Sequence, residues 1–113
     1  MNQNVKPIIV TDDDTGMEYT LEFTRESVRF AESRGFKIND VADYPMTKIP
    51  ELWFYAFRAH HKNVARAKTD ALLEGLGGIP DGLLARLGEL YSVPFAALTD
   101  GQTEENPRVK VQM

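Results

Sequence analysis

The stretch LWFYAFRAHH, residues 52–61, decides the fold, because it carries one charged residue in ten positions. A helix that is apolar or aromatic on most sides has to be covered on several sides by other elements. We therefore expect this segment to form the central helix of a small domain. The predicted helix begins at Thr47, tolerates Pro50 in its first turn and runs to His61.

At 100° per residue, Glu51, Arg58 and Lys62 share one narrow polar stripe of this helix. Trp53 and Phe57 lie nearest the centre of the apolar arc, which predicts that they are core residues. Phe54 and Tyr55 flank the polar stripe instead. We expect them to reach the surface, where aromatic side chains can form part of a protein-binding patch.

The N-terminal part of the chain predicts a β-hairpin. Residues 5–10 form a short apolar strand with Pro7 near its edge or end, and TDDDTG at residues 11–16 has the composition of a turn. The next segment alternates apolar and polar residues, which is typical of a half-buried strand. The apolar positions are Met17, Tyr19, Leu21 and Phe23.

Three further helices are predicted around the central one. The first runs from an N-cap at Thr24 to Arg34 and ends at Gly35, with Phe36 folding back on its last turn. A single helical turn can follow Asn39 or Asp40. The third helix is expected to start after an N-cap at Asn63 and to end near Gly77, with Val64, Ala67, Ala71 and Leu72 on its inner face.

Pro80 fits the first turn of a fourth helix, and Pro94 should kink or break that helix. Its apolar residues fall within one stripe that continues past Pro94. They are Leu83, Leu84, Leu87, Leu90, Tyr91, Phe95 and Leu98. The fold class is thus predicted to be α+β, an N-terminal hairpin packed on a bundle of about four helices.

The C-terminal segment differs in composition. Residues 1–100 read as a single globular domain, and residues 101–113 as a polar linker followed by alternating Val109, Val111 and Met113. Such an alternation is compatible with a third strand on the hairpin, with a flexible tail, or with a strand offered to a partner. The sequence alone leaves these three open.

The composition of the chain argues against several classes of function. The chain has 113 residues, a formal net charge of −4 and no cysteine. General nucleic-acid binding requires clustered Lys and Arg, so we expect this acidic chain not to bind nucleic acid. The absence of cysteine removes disulfides and thiol chemistry and suits a cytoplasmic protein. No apolar run approaches the roughly 20 residues that cross a bilayer, so we expect no membrane association.

Two clusters of possible metal ligands lack the spacing of a metal site. Adjacent histidines on a helix, such as His60 and His61, point about 100° apart and do not share the i, i+4 spacing of helical metal ligands. Asp12, Asp13 and Asp14 are consecutive, whereas a calcium loop alternates its ligands. No nucleophile or phosphate-loop motif occurs. We therefore predict no enzyme activity, no catalytic residue, no cofactor and no metal.

Four segments in order resemble the small tail assembly chaperones of long-tailed phages and prophages. They are YTLEFTRESVRFAESRGF at residues 19–36, IPELWFYAFRAHH at residues 49–61, LLEGLGG at residues 72–78 and LARLGELY at residues 84–91. The resemblance covers about residues 19–98. It implies a protein that binds and solubilises the helical tape-measure protein in the host cytoplasm and that is absent from the finished virion. Coating a long rod needs many copies, so we also expect weak self-association.

The resemblance also implies the tape-measure protein as partner, with the tail tube protein as a further candidate. Together with the predicted exposure of the two apolar faces, it assigns six protein-binding residues: Phe54, Tyr55, Arg58, Tyr91, Phe95 and Leu98. The alternative is a structural virion protein, such as a tail-completion or connector subunit. A helix-turn-helix regulator is disfavoured by the acidity of the chain and by the scarcity of Lys and Arg after Lys68.

Overall fold

Two strands and five helices form the described part of the chain, residues 5–99, 109 and 111–113 of a computed structural model. In chain order they are β1 (Ile8–Asp12), β2 (Met17–Leu21), α1 (Arg25–Ser33), α2 (Asp40–Asp43), α3 (Pro45–Ala56), α4 (Arg66–Gly75) and α5 (Leu83–Thr99). The strands pair as an antiparallel hairpin, and the helices pack with it around one core. The predicted α+β class is confirmed.

The hairpin and α1 form where the sequence predicts them, except that β1 includes Thr11 and Asp12, which were predicted to lie in the turn. Val10 lies opposite Tyr19 across the hairpin, and both side chains are buried. Thr24 and Ser27 form a capping box at the start of α1, each side chain accepting a hydrogen bond from the other's main-chain N–H. Gly35, at a φ of +89°, ends this helix in the left-handed conformation that glycine adopts at little cost.

The central helix α3 is placed differently from its prediction. It begins at Pro45 rather than Thr47 and ends at Ala56 rather than His61. Proline is well suited to a first helical position, which explains the earlier start. The early end has a tertiary cause, since the Ala56 carbonyl accepts the main-chain N–H of Glu22 at 3.0 Å. The chain then turns, and both histidines lie beyond the helix.

The predicted start of the third helix, α4, was wrong, and its predicted inner face was right only for Val64 and Leu72, which are partly buried against the core. The helix begins at Arg66, and no side-chain cap from Asn63 is formed. Thr69 is fully buried, whereas Ala67 and Ala71 are exposed. The main-chain carbonyl of Thr69 accepts the indole N–H of Trp53 at 2.7 Å. That bond presents the Thr69 side of α4 to α3.

Helix α5 begins three residues later than predicted and is not broken. Gly82 has a φ of +87°, a left-handed conformation outside the α-helical region, and Pro80 lies in the turn that precedes it. Helical geometry continues through Pro94 to Thr99. The apolar stripe therefore stays on one continuous helix.

The core is largely aromatic. Trp53 and Phe57, predicted to lie deepest on the central segment, are 1% and 0% exposed and pack edge to face with ring centres 5.4 Å apart. The other fully buried large side chains include Leu21, Phe36, Leu52 and Leu87. This core joins both strands, α1, α3 and α5.

A third strand, one of the three possibilities for the C-terminal segment, is not formed among the described residues. Val109 and residues 111–113 are exposed and carry no strand geometry, and the sheet of the described residues has two strands. Residues 100–108 and Lys110 lie outside the described part of the chain.

Candidate protein-binding site

The six predicted binding residues fall into three environments. Tyr55 and Tyr91 are buried, at 8% and 7% exposure. Phe54 and Arg58 are half-buried. Phe95 and Leu98 are open to solvent, at 66% and 60% exposure. The six do not form one surface of equal accessibility, and the expectation that Tyr55 reaches the surface was wrong.

Tyr55 and Tyr91 are buried because both pack against Phe36. The ring centres of Phe36 and Tyr55 lie 5.5 Å apart, and those of Phe36 and Tyr91 lie 5.8 Å apart. Tyr91 also meets Phe23 edge to face at 5.0 Å. Burial raises the pKa of Tyr91 to about 12 and also raises the pKa of Tyr55. Both phenols are therefore neutral core groups at physiological pH.

Arg58 and Phe54 are held by neighbours within the chain. The Arg58 guanidinium donates two hydrogen bonds to Glu26, at 3.0 and 3.3 Å, and lies 3.6 Å from the centre of the Phe30 ring. Phe54 lies beside Tyr55, and Phe30, Phe54 and Arg58 help to line a cavity of about 70 Å³. The ion pair and the cation–π contact tie α1 to the turn after α3.

The exposed end of α5 has the chemistry of a binding surface. Phe95 and Leu98 continue the stripe of Leu84, Leu87 and Tyr91, since helical positions three, four and seven apart share a face. The stripe is half-buried at Leu84, buried at Leu87 and Tyr91, and exposed at Phe95 and Leu98. From Ser92 to Thr99 the helix carries no charged residue. Interface centres are depleted in charge and enriched in aromatics, which this segment matches.

The two histidines attach β2 to the turn after α3. His61 accepts the main-chain N–H of Thr20 on Nε2 at 3.0 Å, and its ring meets Tyr19 edge to face. His60 contacts the Glu22 carboxylate through Nε2. Burial, reinforced by the charge of His60, lowers the pKa of His61. His61 Nε2 is thus already occupied, and the described residues contain no cluster of three possible metal ligands.

Asp12 makes an ion pair that the sequence did not reveal. Its Oδ2 accepts a hydrogen bond from Lys68 Nζ at 2.6 Å, and its Oδ1 accepts the N–H of Asp14 at 3.1 Å. The Lys68 hydrogen bond, despite an opposing effect of burial, lowers the pKa of Asp12. The pair joins the hairpin turn to α4. Partners 56 residues apart in sequence have no local signal, so only the fold reveals them.

The whole chain, residues 1–113, matches the family model described as "Domain of unknown function (DUF5055)". The chain belongs to the DUF5055 family. Comparison with curated proteins and with solved structures gives no match. In this DUF5055 chain, none of the described helices is long and apolar enough to cross a bilayer. The open apolar positions at the end of α5, Phe95 and Leu98, form the candidate protein-binding site.

Proposed function

We propose that this chain is a tail assembly chaperone that binds and solubilises the tape-measure protein of a long-tailed phage or prophage. The observation that carries the proposal is the emergence of the α5 stripe at Phe95 and Leu98. Its second support is the resemblance of residues 19–98 to such chaperones. The chain works in the host cytoplasm and leaves before the virion is complete.

The chemistry of the α5 end suits an amphipathic helix as partner. A long tape-measure helix exposes apolar area that would aggregate in isolation, and an exposed apolar stripe can cover part of it. The uncharged residues 92–99 allow close contact without the desolvation of an unpaired charge. A net charge of −4 favours solubility of the resulting complex.

The proposal assigns unequal roles to the six predicted residues. Phe95 and Leu98 contact the partner directly, while Tyr91 anchors the stripe from the core. Phe54 and Arg58 are not assigned a direct contact with the partner. Phe54 packs against Tyr55, and Arg58 is held by Phe30 and Glu26. Contact with the tail tube protein remains a secondary part of the proposal.

Co-expression with the tape-measure protein encoded near this gene tests the function. We expect the tape-measure protein to be insoluble alone, soluble with the chain, and retained with it on affinity purification. The double variant Phe95→Ser with Leu98→Ser should lose most of both effects. Ala97→Ser is the matched control, since Ala97 is exposed on the same helix away from the stripe. An insoluble tape-measure protein in the presence of the wild-type chain would reject the proposal.

Mass spectrometry of purified particles separates a chaperone from a virion subunit. A chaperone is absent from finished particles, whereas a tail-completion or connector protein is present in fixed copy number. Detection of this chain at stoichiometric levels in particles would favour the structural alternative.

A further inference from the structure

A small cavity with an aromatic lining lies between α1, α3 and the segment that joins α3 to α4. Its volume is about 70 Å³, and the rings of Phe30, Phe54 and Tyr55 line it together with Val64. Phe30 and Phe54 are half-buried, and their ring centres lie 6.1 and 5.2 Å from that of Tyr55. Pockets for drug-sized ligands and cofactors are several times larger, so this cavity suits one small apolar side chain.

Four cationic side chains surround this cavity, and we call them the basic rim. They are Arg34, Arg58, Lys62 and Arg66. Arg58 and Lys62 line the cavity directly. The guanidinium carbon of Arg34 lies 4.8 Å from the centre of the Phe30 ring, and that of Arg66 lies 5.9 Å from the centre of the Phe54 ring. The four come from the end of α1, the segment after α3 and the start of α4, so the fold brings them together.

The basic rim holds more positive charge than its ion pairs neutralise. The ion pairs around the cavity are Arg58 with Glu26 at 3.0 Å, Arg66 with Asp70 at 2.9 Å, and Lys48 with Glu51 at 3.2 Å. Each of these three carboxylates is thus matched by one cation. Arg34 and Lys62 are exposed and form no ion pair with any described residue. The rim therefore keeps the positive charges of these two residues, in a chain whose net charge is −4.

The combination of a basic rim and an aromatic cavity matches an acidic, partly apolar ligand. Like charges held close together repel one another, and a bound anion relieves that repulsion. Guanidinium groups bind carboxylates through charge-assisted and often paired hydrogen bonds. Arginine and aromatic residues are also the types enriched where proteins bind one another. The complementary segment has a small apolar side chain with Asp or Glu on both sides.

A nucleic acid matches the same charges less well. Single strands bind by stacking their bases on open aromatic faces. The guanidinium carbon of Arg58 lies 3.6 Å from the centre of the Phe30 ring and covers it. Phe54 is half-buried beside Tyr55. Neither ring is thus an open platform for a base, which favours a polypeptide as the ligand.

We propose that the basic rim and its cavity bind an acidic segment of another protein, in which one small apolar side chain is flanked by carboxylates. The apolar side chain enters the cavity beside Phe30 and Phe54, and the carboxylates pair with Arg34 and Lys62. The existing ion pairs with Glu26 and Asp70 hold the other two rim cations in place. This surface uses no residue of α5, so this proposal and the proposed function can fail independently.

Fluorescence anisotropy with labelled synthetic peptides tests the proposal. The probe has a central valine with two glutamates on each side, and its partner peptide has glutamine in place of every glutamate. The glutamate peptide should bind the full chain at least tenfold more tightly than the glutamine peptide. The double variant Arg34→Gln with Lys62→Gln should bind the glutamate peptide at least tenfold more weakly than the wild type. No binding of the glutamate peptide, or equal binding of both peptides, would overturn the proposal.

A matched control variant separates the basic rim from the overall charge of the chain. Arg25→Gln with Lys37→Gln removes the same two charges at exposed positions that do not line the cavity, and it should bind the glutamate peptide like the wild type. Equal weakening in both double variants would contradict the assigned site. So would a single-stranded thymidine oligonucleotide that binds more tightly than the peptide and is weakened by the rim variant, because that assigns the surface to nucleic acid.

Discussion

At the scale of single residues, His61 is a group whose protonation state matters to the fold. Its Nε2 accepts the N–H of Thr20, and a nitrogen that accepts this bond carries no proton. Burial, together with the charge of His60, lowers the pKa of His61 below the usual 6.5. The unfolded chain therefore binds a proton on this residue more readily than the folded chain does.

This difference predicts a pH-dependent stability. The contribution of neutral His61 is fully present above pH 6.5 and is lost as the pH falls through the lowered pKa of the folded state. The expected loss is about 1 kcal/mol, the usual net contribution of one hydrogen bond. Urea unfolding at steps from pH 7.5 to 5.5 measures it. His61→Gln should flatten the profile, because glutamine can accept the same bond and does not titrate.

His60→Gln serves as the control for this experiment, because it removes the neighbouring histidine and leaves the bond between Thr20 and His61 in place. It should retain the fall in stability toward low pH. If the profiles of wild type and His61→Gln were parallel, the role assigned to His61 would be incorrect.

At the scale of elements, the start of α1 depends on a reciprocal cap. Thr24 Oγ1 accepts the N–H of Ser27 at 3.1 Å, and Ser27 Oγ accepts the N–H of Thr24 at 2.8 Å. Thr24→Ala should lower the free energy of unfolding by about 1 kcal/mol, as loss of an N-cap usually does. Ser33→Ala, at an exposed site near the end of the same helix, should change it by less than about 0.5 kcal/mol. Equal losses in the two variants would exclude the cap as the cause.

The elements also show what the sequence predicted and what it could not. Alternation in residues 17–23 predicted β2, and Gly35 predicted the end of α1, because both signals are local. The end of α3 was not predictable from local sequence. The Ala56 carbonyl accepts the N–H of Glu22, a residue 34 positions earlier, instead of an N–H of its own helix. The buried side of α4 depends in the same way on the bond from Trp53 to Thr69. Small residues on the other side of α4 misled the prediction.

The candidate site was predicted in part for the same reason. Helical periodicity placed Phe95 and Leu98 on the stripe of Tyr91, and the structure has all three on α5. Periodicity does not reveal at which residue the neighbouring elements stop burying the apolar stripe. At 1.5 Å per residue α5 is about 25 Å long and α3 about 18 Å. A longer helix can carry its last turn past the elements that bury its middle, and exposure at Phe95 and Leu98 fits this difference.

At the scale of the whole molecule, the chain combines a closed aromatic core with two open surfaces. The end of α5 presents apolar side chains, and the edge of β1 presents main-chain donors and acceptors. The first suits a helical partner. In the proposed role, the end of α5 would contact the tape-measure protein, and many weakly linked copies on one rod would bind more tightly than a single copy.

The most direct test of the central claim is an NMR titration of the isotopically labelled chain with a helical fragment of the tape-measure protein. We expect amide shifts to concentrate at residues 92–99, and the largest methyl shift at Leu98. The buried amides of Trp53 and Phe57 should move little. A saturating titration that left the end of α5 unchanged, or a fragment that caused no shift anywhere, would contradict the account.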